Sequence, residues 1–291
     1  MPKPYLGNPL RCEAVLNKYG FSFRKKYGQN FLIDESVLED TVDAAEIGPE
    51  DVVLEIGPGI GTLTQYLACA AAKVIAVEID DALLPILDDT LSDWDNVKVL
   101  HADIMKTDIQ KLADEENGGR PMKVVANLPY YITTPILMKL FESRAPIDSV
   151  TVMVQKEVAE RIETGPGTKA YGALSLAIQY YAEPSIAVQV PASSFIPRPN
   201  VDSAVIVMKR WVDPPVKVNN ETLLFQVIRA SFQQRRKKLA NGITNAGDLS
   251  FTKEQVEHAL AAVGLDLNVR GEKLTLAQFG VLSDELNQFL G

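Results

Sequence analysis

From residue 51 to about 155, short apolar runs and helix-forming stretches take turns, and this alternation constrains the fold more than any other feature of the chain. The runs are 52–56, 73–78, 97–100, 123–126 and 149–154, with helical spacing at 61–71, 81–90 and 134–142. A helix between two strands carries the chain back to the starting end of the sheet, so successive strands pair in parallel. An α/β, doubly wound sheet is predicted. Two further runs, 185–190 and 204–209, predict an antiparallel closing pair.

Local signals place the ends of several elements. Helices are predicted at 10–19 and 35–46, the second with Asp34 as N-cap, and Thr134 followed by Pro135 reads as a cap with proline at the first helical position. Residues 211–216, with Pro214 and Pro215, read as a linker. Beyond it the pattern is helical only, at 219–232, 235–241, 252–263 and 275–289, and Thr275 with Gln278 has capping-box spacing. Two domains are expected: residues 1–212, an α/β domain with an N-terminal helical extension, and residues 213–291, a smaller all-helical one.

Composition narrows the function classes. The chain has 46% hydrophobic and 23% charged residues, as an ordinary globular protein does. No apolar run reaches the length of a membrane span, and the N-terminus lacks the apolar core of a secretory signal. Cys12 and Cys69 form no motif and fit a reducing compartment, so the cytoplasm is the expected location. His101 and His258 are the only histidines, far apart in sequence, and no metal site is expected. A net charge of −9 counts mildly against nucleic acid, but phosphate contacts are local. Basic residues cluster at Arg24, Lys25 and Lys26 and at Arg235, Arg236, Lys237 and Lys238. The second cluster reads as a solvated helix face or an RNA phosphate clamp, with the clamp preferred. RNA contact is also expected of the first.

The chemistry-bearing residues fall at strand ends, the ligand-binding edge of such sheets. Gly57, Gly59 and Gly61 form a G-x-G-x-G turn after the first strand, without the spacing of a dinucleotide fingerprint or the Lys-Ser/Thr of a P-loop. Acids lie at Glu55, at Glu78 ending the second strand, and at Asp103 after the third. Acids with no basic phosphate ligand suit a cofactor that is cationic and lacks phosphate, a description S-adenosylmethionine (SAM) fits. Asn127-Leu128-Pro129-Tyr130 follows the fourth strand. Alone it is a strand-end turn. Beside a methyl donor it offers an amide oxygen and a carbonyl, Leu128 or Pro129, to take the hydrogens of an amine, and an aromatic face for a base.

These residues resemble the class I SAM-dependent methyltransferases, and more closely the ribosomal RNA adenine dimethyltransferases of the small-subunit type. The likeness runs through Gln29-Asn30-Phe31-Leu32, the loop from Glu55 to Gly61, Glu78-Ile79-Asp80, Ala102-Asp103-Ile104, Asn127-Leu128-Pro129-Tyr130, the stretch 154–161 and the stretch 195–204. It implies a Rossmann-like sheet and SAM contacts at Asn30, Leu32, Gly57, Glu78, Asp103 and Asn127, with Gly59 in the same loop. It also implies catalysis by Asn127, Leu128, Pro129 and Tyr130, with Phe195 on the second face of the base. The implied substrate is two adjacent adenines near the 3′ end of 16S rRNA in the 30S subunit, and the implied role is in ribosome biogenesis. A monomer is expected. Three alternatives remain: a large-subunit rRNA adenine methyltransferase of the resistance type, a non-catalytic rRNA-binding assembly factor on the same fold, and, more distantly, an NAD-dependent oxidoreductase.

Overall fold

A computed structural model describes residues 2–24, 27–234 and 237–290. The chain divides into two compact units, Met1–Ala159 with Pro184–Arg210, and Glu160–Glu183 with Trp211–Gly291.

The first unit begins with α1 (Pro9–Lys18), the two-residue strand β1 (Phe31–Leu32) and α2 (Glu35–Ala44). Then come β2 (Val52–Ile56), α3 (Thr62–Ala70), β3 (Lys73–Glu78), α4 (Leu84–Thr90), β4 (Val97–His101), α5 (Ile109–Asn117), β5 (Met122–Asn127), α6 (Thr133–Glu142) and β6 (Ile147–Gln155). After α7 (Lys156–Glu163) and α8 (Ala173–Tyr181), the chain returns through β7 (Ala182–Val190), β8 (Phe195–Ile196) and β9 (Ser203–Arg210). The seven-stranded sheet has the order β4-β3-β2-β5-β6-β9-β7. β2 pairs in parallel with both β3 and β5, and β9 runs antiparallel to β6.

The sequence predicts a mostly parallel sheet for a physical reason. All five residues of β2 are buried, as are Val124, Val125 and Ala126 of β5. Strands covered on both faces read as continuous apolar runs instead of alternating ones. The order reverses between β2 and β5, so a crevice opens there at the carboxyl ends, where ligands of such sheets bind.

Several local expectations change. Residues 109–117, 156–163 and 173–181 are helices that the apolar pattern did not announce. The α6 helix starts one residue early, so Pro135 is its third residue, still in the turn where a missing N–H costs nothing. Asp34 stands at the N-cap of α2, but its carboxylate accepts from the Ser36 and Ser194 hydroxyls, both at 2.8 Å.

The second unit holds α8, α9 (Glu221–Gln233), α10 (Leu239–Thr244), α11 (Lys253–Ala262) and α12 (Leu276–Asn287). The expected boundary at 212 leaves out residues 160–183, which group with this unit. Tyr171, Leu176 and Tyr180 share its core with Leu223, Leu224, Val227 and Phe279, and the Tyr180 ring meets Phe225 edge-on at 5.2 Å. The expected capping box forms: Thr275 N donates to Gln278 Oε1 at 2.9 Å, and Gln278 N to Thr275 Oγ1 at 3.2 Å.

Candidate active site

The crevice at the sheet's reversal is an open cleft of ≈1020 Å³, counting the solvent space at its mouth. Its walls come from the segment 27–32, the β2–α3 loop, the ends of β3 and β4, and residues 127–132. Ten residues singled out in the sequence line it: Asn30, Leu32, Gly57, Gly59, Glu78, Asp103, Asn127, Leu128, Pro129 and Tyr130. Parallel pairing brings together all but Asn30 and Leu32, because every loop leaving the carboxyl edge opens on the same side; those two come from the segment 27–32, whose strand β1 pairs with β8.

The glycine loop and Glu78 are built as one piece. Gly57 N donates to Val77 O at 2.9 Å, and Gly59 N donates to Glu78 Oε2 at 3.3 Å. Asp80 N donates to the other oxygen, Oε1, at 2.7 Å. These amides orient the Glu78 carboxylate at the cleft wall. Burial raises its pKa, and the Asp80 and Gly59 amides pull it back in part. Glu55, also lining the cleft, is 1% exposed, and burial pushes it up to about 8, with Thr64 pulling it back in part and the nearby Glu78 charge adding a smaller push.

The Asn127-to-Tyr130 segment has its orientation set by the structure. Asn127 Nδ2 donates to the Asn30 carbonyl at 2.9 Å, which leaves Oδ1 as the acceptor facing the site. Leu128 N donates to Met153 O at 3.1 Å. The Pro129 carbonyl already accepts from Ile132 N at 3.2 Å and Thr133 Oγ1 at 3.1 Å, so both its lone pairs are engaged. The Leu128 carbonyl takes no such bond among the described residues. Of the two carbonyls the sequence left open, Leu128 is the free one. Tyr130 OH pairs with Ser203 Oγ at 2.7 Å, which anchors the tip of its ring.

The family model for ribosomal RNA adenine dimethylase matches residues 20–288. The chain belongs to the ribosomal RNA adenine dimethylase family. A curated relative, ribosomal RNA small subunit methyltransferase A of Lachnoclostridium phytofermentans, is 59% identical over 285 residues, 98% of each chain. Among solved structures, a dimethyladenosine transferase from Plasmodium falciparum superposes with a TM-score of 0.73 at 26% identity, over 89% of this chain and 98% of that one. The 23S rRNA methyltransferase ErmE superposes with a TM-score of 0.68, also at 26% identity, over 89% of this chain and 100% of that one.

Some residues expected to serve a dimethylase of this family stand elsewhere. Phe195 does not line the cleft; it is 3% exposed, in the core cluster with Phe31 and Leu32, because β8 pairs antiparallel with β1. Its ring has no free face for a base in this conformation. Arg24 holds acids of its own chain: its Nη1 reaches Asp80 Oδ1 at 2.7 Å and Asp81 Oδ1 at 2.8 Å. With Asp80 fully buried, that charge is committed within the protein. Lys25, Lys26, Arg235 and Arg236 lie outside the described residues. Lys237 and Lys238 are exposed in the second unit and form no ion pair among the described residues.

Sequence reasoning missed what holds the cleft's N-terminal wall. Gln29 Nε2 donates to Asp80 Oδ2 at 2.7 Å, and Gln29 Oε1 accepts from Arg24 N at 2.9 Å. The clasp joins residues more than fifty positions apart, which no local pattern announces. Among the described residues no group of three or more His, Cys, Asp and Glu side chains is placed to hold a metal ion. No helix is long and apolar enough to cross a membrane.

Proposed function

We propose that this protein uses SAM to dimethylate the N6 amines of two adjacent adenines near the 3′ end of 16S rRNA, acting as a monomer on the 30S subunit in the cytoplasm during ribosome biogenesis. The pinned amide of Asn127 carries this reading. With Nδ2 committed to the Asn30 carbonyl, Oδ1 can only accept, and an exocyclic amine is the group that supplies the hydrogen.

The cleft suits SAM in charge. Glu55, Glu78 and Asp103 line it, and no Lys, Arg or His does among the described residues, so it offers nothing to a phosphate. Glu78 would hold the ribose hydroxyls and Asp103 the adenine amine, while Asn30, Leu32 and the Gly57–Gly59 backbone pack the remainder. SAM supplies an electrophilic methyl on a sulfonium.

The protein's own part is positioning. The N6 lone pair of adenine is delocalised into the ring and makes a poor nucleophile. Asn127 Oδ1 and the Leu128 carbonyl accept its two hydrogens and favour a pyramidal nitrogen with the lone pair directed at the methyl. Tyr130, its ring held by Ser203, stacks on the extruded base. Alignment of this kind can supply about 7–11 kcal/mol with no covalent intermediate. Lys237 and Lys238, with the rest of their cluster, would take RNA phosphates.

The test is methyl transfer from SAM to 30S subunits lacking the mark, read by nucleoside mass spectrometry. N6,N6-dimethyladenosine in 16S rRNA is the expected product. Transfer to 23S rRNA alone would move the assignment to the large-subunit type, and binding to 30S without transfer would make the protein an assembly factor.

A further inference from the structure

Every carboxylate at the cleft has its hydrogen bonds except one. Glu78 receives the Gly59 and Asp80 amides, and Asp103 Oδ1 receives Met105 N at 2.9 Å. Glu55 Oε2 is buried and has no partner among the described residues, and Thr64 Oγ1 is likewise buried and unpartnered. A carboxylate so placed is costly to keep ionised, because burial removes its hydration and the Thr64 hydroxyl offsets only part of the loss.

The surroundings of Glu55 on each side supply no positive charge. From β3 comes Glu78, the one titratable group acting on it; from α3 comes Thr64; on β5 its register partner is the buried, apolar Val125. Its own strand, β2, contributes only Val52, Val53, Leu54 and Ile56. The remaining side is the cleft, which Glu55 lines.

We infer that Glu55 reads the charge of the bound cofactor: its carboxyl is neutral in the free protein and gives its proton to solvent when a cation enters the cleft, so the site distinguishes a sulfonium from the neutral thioether left after transfer. The inference rests on SAM being the ligand. Burial, opposed in part by Thr64 and helped a little by the Glu78 charge, lifts the Glu55 carboxyl to about 8 and makes the neutral form dominant at pH 7. A fixed positive charge nearby reverses the balance and favours the carboxylate. Losing the methyl removes that charge, the proton returns, and the product is held less tightly. The turnover of one cofactor thus carries its own release signal.

Titration calorimetry on the full chain tests this directly. Binding of SAM and of S-adenosylhomocysteine is measured at pH 7 in phosphate and in Tris, whose ionisation enthalpies differ, so the heats report protons released. The expected result is release of about one proton with SAM and none with S-adenosylhomocysteine, since linkage ties proton release to a changed pKa. SAM affinity rises with pH by up to about tenfold per unit below the free protein's value, while S-adenosylhomocysteine affinity stays flat. Glu55→Gln removes both effects and leaves the two ligands bound with more similar affinities. SAM binding without proton release, equal release with both ligands, or release that persists in E55Q overturns the inference. The wild-type proton count decides the matter even if E55Q folds poorly. If neither ligand binds at all, it is the cofactor assignment that fails, an outcome the same titration separates from the others.

Discussion

A methyl group added at Gly57 and one added at Gly59 should do different damage, although the two glycines are two residues apart. Both have left-handed backbone, with φ of +70° at Gly57 and +63° at Gly59. Any L side chain there costs about 1–2 kcal/mol. At Gly59 the new Cβ would also lie 2.9 Å from Phe31 Cδ1 and Cε1. That ring cannot swing aside freely, because Phe21 and Phe23 pack on it with centroids at 5.8 and 5.5 Å. Overpacking of this sort costs a further 1–3 kcal/mol or so, giving about 2–5 kcal/mol for Gly59→Ala. At Gly57 the Cβ meets no protein atom within 4 Å, so Gly57→Ala costs stability only through the backbone. Its methyl instead occupies open space at the cleft, and a comparable steric penalty falls on the ligand, roughly 5–150-fold in SAM affinity. Urea unfolding of the first unit and SAM titration of each variant measure the two effects. G59A should lose about 1–3 kcal/mol more stability than G57A, while G57A loses only the backbone cost of about 1–2 kcal/mol and binds SAM poorly. Equal destabilisation by both would refute the reasoning that a Cβ at Gly59 crowds the Phe31 ring.

Other outcomes follow from the same geometry. Asn127→Ala should cut methyl transfer by about 10²-fold or more while SAM still raises the melting temperature, since alignment is lost while cofactor binding is spared in part; full transfer would remove Asn127 from its role. Asn127→Asp sets an acceptor against the Asn30 carbonyl, so it should be less stable than the wild type in urea by about 1–3 kcal/mol at neutral pH, and unchanged stability there would contradict the donor assignment. Arg24→Ala frees Asp80 and Asp81 and should weaken SAM binding with little change in affinity for 30S subunits in filter binding; the opposite pattern would restore Arg24 as an RNA contact. Tyr130→Phe and Ser203→Ala each break one hydrogen bond, worth about 0.5–1.5 kcal/mol, and the double variant should lose little more than either alone. Lys73 and Lys98 hold the Glu116 carboxyl below its ordinary value. A group with a depressed folded pKa adds stability above its unfolded value of about 4.3, and this is lost as pH falls through the folded one. Glu116→Gln should therefore flatten the acid limb of the urea stability profile, and an unchanged limb would show that this cluster does not contribute.

Much of the cleft was legible because its residues sit at strand ends. Gly57, Glu78, Asp103 and Asn127 each follow a continuous apolar run, and parallel pairing sends every such end to the same edge. The partners of Phe195 and Arg24 were not legible, for the converse reason. Each is surrounded by suggestive neighbours in sequence, but what occupies its side chain comes from afar: β1 covers Phe195, and the acids at the end of β3 take Arg24. The helix at 156–163 crosses from one unit to the other, and the helix at 173–181 packs its apolar residues in the second unit's core with segments far along the chain, a grouping that the order of the sequence does not display.

The sequence by itself determined the layered α/β core, the helical C-terminal segment and the family, since these depend on local periodicity and on short strings of residues. Only the tertiary structure decided which atoms are free to act. The Pro129 carbonyl is spent on α6, the Asn127 amide is turned by the Asn30 carbonyl, and Glu55 is left buried with an oxygen that nothing satisfies. Each of these depends on a hydrogen bond made or missing in three dimensions. A backbone carbonyl or a side-chain amide carries the same letters in the sequence whether or not a neighbour has already claimed it.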